Sequence, residues 1–203
     1  MKLAIIGATG NVGTRLVAEA LGRGHRVTAI ARDPAKLAAH DGLTAVAGDA
    51  NQPATLAPLL AAHDAIVSAV AFRLSEPAKL IEAVRRSGVL RYLVVGGAGS
   101  LEMAPGKLLV DSPHFPEFAR EEANRGKVFL DVLRTVDDLD WTMLSPSALF
   151  IAGERTGTFR LGGDGLLTGT DGKSWISYED YAVALLDEIE TPQHVRRRFT
   201  VGY

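Results

Sequence analysis

Three glycines near the start of the chain restrict its fold more than any other feature. Residues 2–6 form a short apolar run that ends in two isoleucines, which is typical of a buried strand. The glycine-rich segment Gly7–Gly13, with the sequence GATGNVG, follows this run, and an amphipathic stretch over residues 14–21 comes directly after it. The order of these segments predicts a strand, a glycine turn and a helix.

Each glycine has its own physical role in this prediction. Gly7 lets the chain turn sharply as it leaves the strand. Gly10 has no Cβ atom, so a phosphate can approach the backbone, and Gly13 lets the helix pack close to the sheet. The N–H groups at the helix start then favour an anion. A glycine turn without a ligand is the alternative, but this context favours a dinucleotide site formed by Gly7, Thr9, Gly10, Asn11, Val12 and Gly13.

Apolar runs alternate with helical patterns along most of the chain. The strands predicted after the first cover residues 26–31, 43–47, 65–70, 91–95 and 140–144, and the clearest later helices cover residues 53–61, 77–87 and 117–135. This alternation predicts an α/β protein with a Rossmann-like, doubly wound parallel sheet and helices on both faces. The strand-to-helix loops of such a sheet meet at one edge, where ligands bind.

Length and composition restrict the domain count and the class of partner. The 203 residues predict one domain over 1–203, with residues from about 151 to 203 as a substrate-side extension. A net charge of −2 gives no electrostatic case for nucleic acid, and no apolar run reaches the roughly 20 residues of a membrane helix. No signal peptide is apparent, so we expect a soluble cytoplasmic protein, monomeric or dimeric, that binds a small-molecule acceptor.

The end of the second strand bears on the type of dinucleotide. An acidic residue at this place binds the ribose 2′-hydroxyl of NAD, whereas an arginine receives the 2′-phosphate of NADP. Both Arg32 and Asp33 occur here. Asp33 precedes a proline and has a structural explanation as a helix N-cap, whereas Arg32 has none other than a solvated surface position. The sequence therefore favours NADP(H) over NAD(H).

The ends of the later strands supply the remaining predicted cofactor contacts. Asp49 follows the third strand and either hydrogen-bonds the adenine amino group or starts the next helix. The contacts predicted after the fourth, fifth and sixth strands are Ala69, Val70, Ala71, Gly97, Ala98, Gly99 and Pro146.

Three segments beyond these contacts carry further predictions. The stretch from Gly96 to Phe115 has no clear period and is interpreted as a lid or wall over the substrate side. Ser177 is predicted to cap a helix that runs to about Glu190, with Asp180 at its third position. The charged run Arg196–Arg198 lies at the start of the final strand and is interpreted as a solvated edge; protection of that strand against edge pairing is the alternative.

Several motifs together resemble a known family. The segments GATGNVG (7–13), VVGGAGS (94–100), DWT (140–142), LSP (144–146), GERTG (153–157), LGGD (161–164) and ISYEDYA (176–182) are similar to those of atypical short-chain dehydrogenase/reductases, and most of all to the Rrf2-linked NADH-flavin reductase group. The resemblance covers nearly the full chain. It implies a Rossmann-like fold with a bound nicotinamide dinucleotide and leaves the activity open, because that group contains both reductases and cofactor sensors.

The chain lacks the proton-transfer pair that carbonyl-reducing members of the wider family use. None of the four tyrosines has a lysine four residues later, so the Tyr-x-x-x-Lys pair is absent. The resemblance places Ser100, just after the fifth strand, near the position of that family's serine, and His114 in the long loop is a candidate to protonate a reduced product. A loop serine and a loop histidine without a chemical role are the alternatives. The histidines show no metal-ligand spacing and the chain has no cysteine, so no metal site is predicted.

Three functional hypotheses follow. The first is an NADPH-dependent oxidoreductase that transfers a hydride to a flavin, a quinone or a similar acceptor, for which binding and orientation are enough. The second is a non-catalytic NADP(H)-binding sensor that acts through a protein partner. The third is an isomerase or dehydratase acting on a sugar-like or terpenoid-like substrate, which the missing Tyr-x-x-x-Lys pair disfavours.

Overall fold

The structure, a computed structural model, describes all 203 residues as an α/β arrangement of twelve strands and five helices. The strands are β1 Lys2–Ile6, β2 Arg26–Ala31, β3 Leu43–Ala47, β4 Ala65–Ser68, β5 Arg91–Val95, β6 Glu102–Ala104, β7 Lys107–Leu108, β8 Asp140–Pro146, β9 Leu149–Ile151, β10 Arg160–Gly162, β11 Trp175–Ser177 and β12 Arg197–Gly202. The helices are α1 Asn11–Gly22, α2 Pro53–Leu60, α3 Pro77–Ser87, α4 Glu117–Leu133 and α5 Tyr178–Glu190.

Eight of the strands form the central sheet, in the order β10-β12-β8-β5-β4-β1-β2-β3. Every neighbouring pair is parallel except β10 and β12, which are antiparallel. The predicted Rossmann-like parallel sheet is therefore confirmed. β1 and β4 lie in its interior, and their apolar residues are buried as expected for strands that are covered on both faces.

Helices cover both faces of this sheet and divide the core in two. One cluster includes buried residues of α2, α3 and α4, among them Leu56, Leu80 and Phe129. The other includes residues of α1 and α5, among them Leu16 and Tyr181. Each helix buries the apolar stripe that its sequence period predicts. None of the five helices combines the length and the apolar character that a membrane-crossing helix needs.

The residues from 149 onward contribute to the same layers as the rest of the chain. β12 lies inside the central sheet between β8 and β10, and α5 packs beside α1. The short strands β9 and β11 pair with each other outside the central sheet. Ser177 caps α5 as predicted, because its hydroxyl accepts a hydrogen bond from the Asp180 N–H at 3.0 Å.

Two local interpretations are wrong. Asp33 does not cap a helix: a single 3-10 turn, Pro34–Lys36, follows it, and its side chain makes no capping hydrogen bond. Arg198 is not part of a solvated edge, because β12 has strands on both sides and the guanidinium is buried beside Asp164, Ser100 and Ser145. Burial lowers the pKa of Arg198, and the Asp164 carboxylate opposes that effect.

The stretch between β5 and α4 has more structure than a loop. β6 and β7 form a small hairpin, and a 3-10 turn over Leu109–Asp111 follows them. Leu101 and Val110 are buried, and the Glu102 N–H donates to the Asp164 carbonyl at 2.9 Å. This hydrogen bond connects the stretch to the loop that follows β10.

An ion-pair cluster connects α1 to the segment before β10. Glu19 on α1 receives hydrogen bonds from Arg155 at 2.7 Å and from Arg23 at 2.8 Å. These bonds, led by that of Arg155, lower the pKa of the Glu19 carboxyl from its ordinary value of 4.5 to about 2.

The Glu19 carboxylate should make stability depend on pH. A carboxyl whose pKa is depressed in the folded state stabilises it above about pH 4.5, and this contribution is lost as the pH falls towards about 2. Glu19→Gln should lower the free energy of unfolding by about 1–3 kcal/mol at pH 7 and by much less at pH 3. Urea unfolding at both pH values measures this.

Glu82→Gln is the matched control, because Glu82 pairs with Arg86 on an exposed face of α3. It should change stability by less than about 0.5 kcal/mol. Equal losses for Glu19→Gln at pH 7 and pH 3 would contradict the assignment.

Candidate functional site

A cavity of about 450 Å³ lies at the edge of the sheet where the central parallel strands end. Its lining combines the β1–α1 turn, the ends of β2 to β5, one residue of α4 and two aromatic residues from later in the chain. The predicted site residues that line it are Gly7, Thr9, Gly10, Asn11, Val12, Arg32, Asp49, Ala69, Val70 and Ala71. The strand-to-helix loops therefore meet at one crevice, as the sequence predicts.

The β1–α1 turn presents unpaired backbone donors to the cavity. Gly10 is the N-cap residue of α1, and no side chain caps the helix. The N–H groups of Asn11, Val12 and Gly13 donate to no acceptor within the protein. Unpaired amides at the positive end of a helix form a site for a phosphate or diphosphate group. This helix start fits the diphosphate of a dinucleotide.

Two glycines allow this turn to form. Gly7 has a φ of +81°, and a Cβ atom on it would lie 2.6 Å from the carbonyl oxygen of Ala69. A Cβ atom on Gly13 would lie 2.2 Å from the carbonyl oxygen of Gly7. Gly13 is therefore a packing residue: it lies behind the cavity wall and holds α1 against the end of β1.

The end of β2 places an arginine and not an acid in the cavity. Arg32 is exposed, lines the cavity and has no hydrogen-bond or ion-pair partner. Asp33 is outside the lining, and its carboxylate lies 3.6 Å from the Lys36 ammonium. A free guanidinium at this position is suited to an additional phosphate on the adenosine ribose.

The end of β3 contributes Asp49 and Asn51 to the same wall. Asp49 lines the cavity, and its Oδ1 atom accepts the Asn51 N–H at 2.9 Å. The carboxylate thus closes the local turn and keeps acceptor capacity towards the cavity. Asn51 donates from its side-chain amide to the Leu74 carbonyl at 2.8 Å and connects this wall to the segment after β4.

The segment after β4 forms the next part of the wall. Ala69, Val70 and Ala71 line the cavity, and Phe72 lines it while also packing against Phe129 with ring centroids 5.5 Å apart. Phe72 therefore contributes both to the cavity wall and to the core.

Two aromatic residues close the cavity beyond β5. The rings of Phe150 and Tyr178 meet edge to face with centroids 4.7 Å apart, and both line the cavity beside Val95 and Gly96. The Arg15 guanidinium lies 5.7 Å from the centroid of the Tyr178 ring. The wall is aromatic, which suits a planar ring system.

The tyrosine one turn further along α5 cannot act in proton transfer. Tyr181 packs against Phe150, is fully buried, and donates its hydroxyl hydrogen to the Leu144 carbonyl at 2.6 Å. Burial raises the pKa of Tyr181 well above its ordinary value. Its hydroxyl is thus a structural hydrogen-bond donor.

Both predicted catalytic residues lie outside the cavity. Ser100 is buried against the sheet, with its Oγ atom 3.4 Å from a guanidinium nitrogen of Arg198. His114 is exposed on the segment before α4, and its imidazole makes no hydrogen bond. The geometry gives neither residue a contact with a molecule in the cavity.

Four predicted cofactor contacts beyond β5 also lie outside the lining: Gly97, Ala98, Gly99 and Pro146. Gly99 shows why, since a Cβ atom on it would lie 2.6 Å from the Cβ atom of Ala123. The chain after Gly96 turns towards α4 and packs against it. Pro146 is the last residue of β8 and is buried in the sheet.

Sequence reasoning missed Glu122, whose carboxylate lines the cavity from α4. Glu122 lies four residues before the buried Gly126. It therefore lies on the same face of α4 as Gly126, Phe129 and Leu133, which are buried. An acidic residue in register with a buried stripe was the available signal. Tyr178 was also passed over, although it sits next to a predicted helix cap.

Comparison with known protein families finds a match over most of the chain. The model of a family described as NAD(P)H-binding matches residues 7–192. The uncharacterized protein YwnB of Bacillus subtilis is 39% identical to this chain over 212 aligned positions, which cover 99% of this chain and 98% of that protein.

Two solved structures share both fold and sequence. A Bacteroides thetaiotaomicron protein provisionally named an epimerase has a TM-score of 0.95 and 38% identity, over 100% of this chain and 96% of that one. A Streptococcus pneumoniae protein provisionally named an NADH-flavin reductase has a TM-score of 0.86 and 38% identity, over 100% and 99% of the two chains.

The close approach of α1 to the end of β1 can be tested with two glycines of the same helix. Gly13→Ala should lower the free energy of unfolding by about 1–3 kcal/mol, because the added methyl overlaps the Gly7 carbonyl. Gly22→Ala places its methyl in open space and should leave stability unchanged or slightly raised. Thermal unfolding of the two variants measures the difference, and equal stabilities would contradict the packing role.

Proposed function

The chain belongs to the NAD(P)H-binding family, and from that membership we propose that it is an NADPH-dependent reductase of flavins, quinones or similar planar acceptors. The observation that carries the proposal is one cavity bordered by an unpaired arginine at the end of β2 and by an aromatic pair beyond β5. The name of the Streptococcus pneumoniae protein supports the reaction class. The narrower placement in the Rrf2-linked flavin reductase group is part of the same proposal.

In this proposal the protein contributes binding and orientation. The amides at the start of α1 hold the diphosphate, Arg32 receives the 2′-phosphate, and Phe150 with Tyr178 aligns the acceptor ring. The bound cofactor supplies a hydride, and the acceptor takes its remaining proton from water. No group of the cavity is required to move a proton: Asp49 and Glu122 already accept backbone N–H groups.

A carbonyl-directed reaction is supported less well. Reduction of a ketone, or epimerisation through a keto intermediate, needs a positioned acid or base. Ser100 and His114 lie outside the cavity, and Tyr178 has no lysine four residues later. The provisional epimerase name of the Bacteroides thetaiotaomicron protein is therefore not carried over to this chain.

The same scarcity of acid–base groups favours a second candidate, a non-catalytic NADP(H) sensor that acts through a protein partner. The assay that separates the two measures NADPH and NADH oxidation with FMN, riboflavin and a small quinone, alongside fluorescence titration of each cofactor. Turnover supports the reductase. Tight binding without turnover on any acceptor supports the sensor, and absence of binding overturns both.

Arg32 should determine the preference for NADPH. Removing a charge-assisted arginine–phosphate contact costs about 1.5–3 kcal/mol, so Arg32→Ala should weaken NADPH binding roughly 10- to 100-fold and leave NADH binding nearly unchanged. Asp33→Ala is the adjacent control and should change neither affinity, because Asp33 lies outside the cavity. Equal loss for both cofactors in Arg32→Ala would contradict the assignment.

The aromatic wall should act on the acceptor. Phe150→Ala removes a stacking surface worth about 0.5–1.5 kcal/mol, so the KM for FMN or quinone should rise roughly 2- to 10-fold. The KM for NADPH should change less. Leu149→Ala is the control, since Leu149 is its exposed neighbour on β9; steady-state kinetics that show equal effects of both substitutions would count against the role of Phe150.

A further inference from the structure

Glu122 is a carboxylate in a place where a dinucleotide site does not need one. It lines the cavity that the start of α1 makes favourable for a diphosphate. A negative charge that lines the same cavity as a bound anion costs energy. Glu122 must therefore contribute something that outweighs this repulsion, and its contacts show what that is.

The carboxylate holds two consecutive backbone amides of the cavity wall. Its Oε1 atom accepts the Phe72 N–H at 2.6 Å, and its Oε2 atom accepts the Arg73 N–H at 3.0 Å. These amides start the 3-10 turn Phe72–Leu74 that follows β4, and the N-cap residue Ala71 supplies no side-chain hydrogen bond to it. A carboxylate with one N–H on each oxygen forms strong, charge-assisted hydrogen bonds in a fixed orientation.

The same wall is fixed at two further points. The Asn51 amide donates to the Leu74 carbonyl at 2.8 Å, at the far end of the turn. The Phe72 ring lies over Gly126 of α4, where a Cβ atom would come within 2.7 Å of it. Helix α4 thus approaches the wall closely enough for Glu122, one turn earlier, to reach its backbone.

We propose that Glu122 is a positioning residue for the cofactor, in that its carboxylate fixes the wall segment Ala69–Leu74 in the shape that receives the dinucleotide. This inference rests on the proposed function, because the segment matters only if a cofactor lies against it. Glu122 acts through the backbone of Phe72 and Arg73 and takes no part in hydride transfer.

Glu122→Gln tests the role with little change in size. One oxygen can still accept an N–H, but the amide NH2 group faces the other N–H, so the wall loses one bond and gains a repulsion. The NADPH dissociation constant should rise roughly 10-fold. In steady state the KM for NADPH should rise by a similar factor, while kcat at saturating NADPH stays near that of the wild type.

The neighbouring Glu121 provides a matched control. Glu121 has an exposed side chain and pairs with Arg125 on the outer face of α4. Glu121→Gln makes the same chemical change one residue away and should leave NADPH affinity as it is in the wild type. Glu122→Asp keeps the charge but is one methylene shorter; it should show a smaller loss and serves as the test variant if Glu122→Gln does not fold.

Amide hydrogen exchange supplies a readout that is independent of turnover. Without cofactor, the Phe72 and Arg73 amides should exchange roughly 10-fold faster in Glu122→Gln than in the wild type or Glu121→Gln. Faster exchange at these amides together with weaker NADPH binding supports the proposal. Unchanged NADPH affinity in a folded Glu122 variant, or an equal loss in Glu121→Gln, overturns it while the proposed function stands. A wild-type protein that binds no NADPH overturns the proposed function itself.

Discussion

The contact between Gly13 and the Gly7 carbonyl determines where the functional part of the molecule can form. A side chain at either glycine would collide with backbone: that of Ala69 at Gly7, and that of Gly7 at Gly13. Because neither side chain is present, α1 begins directly at the end of β1 with its first N–H groups unpaired. The packing of α5 on α1 then brings Tyr178 to the cavity. The close approach of Gly13 to the Gly7 carbonyl thus positions both the unpaired N–H groups and the aromatic wall of the cavity.

The fold could be predicted from the sequence because its signals are local. Strand-sized apolar runs and glycine turns lie within a few residues of each other, and their alternation permits little other than a parallel sheet. For the same reason the residues that line the cavity after β1, β2, β3 and β4 could be placed. The positions expected after β5 were wrong, because the approach of Gly99 to Ala123 directs the chain away from the cavity. That approach depends on a residue 24 positions later, on α4.

The catalytic candidates show the same limit. Ser100 has the right type and position along the chain, yet its hydroxyl faces Arg198, a residue 98 positions away. Glu122 has no motif around it, and its role appears only when α4 is packed beside the turn after β4. The sequence shows where a residue lies relative to the end of a strand. The hydrogen-bond partner of a polar side chain is known only once distant segments are packed together.

The two edges of the central sheet differ in how well they resist strand addition. On one side the three-residue strand β10 runs antiparallel to β12 and offers little backbone to another chain. On the other side β3 exposes five residues of strand edge, with the small side chains of Thr44, Ala45 and Ala47 at the surface and no charged residue among them. Proteins usually protect such edges with charge, proline or a covering segment. Intermolecular β-pairing, and with it aggregation of partly unfolded chains, would therefore start at β3, on the same side of the sheet as Arg32.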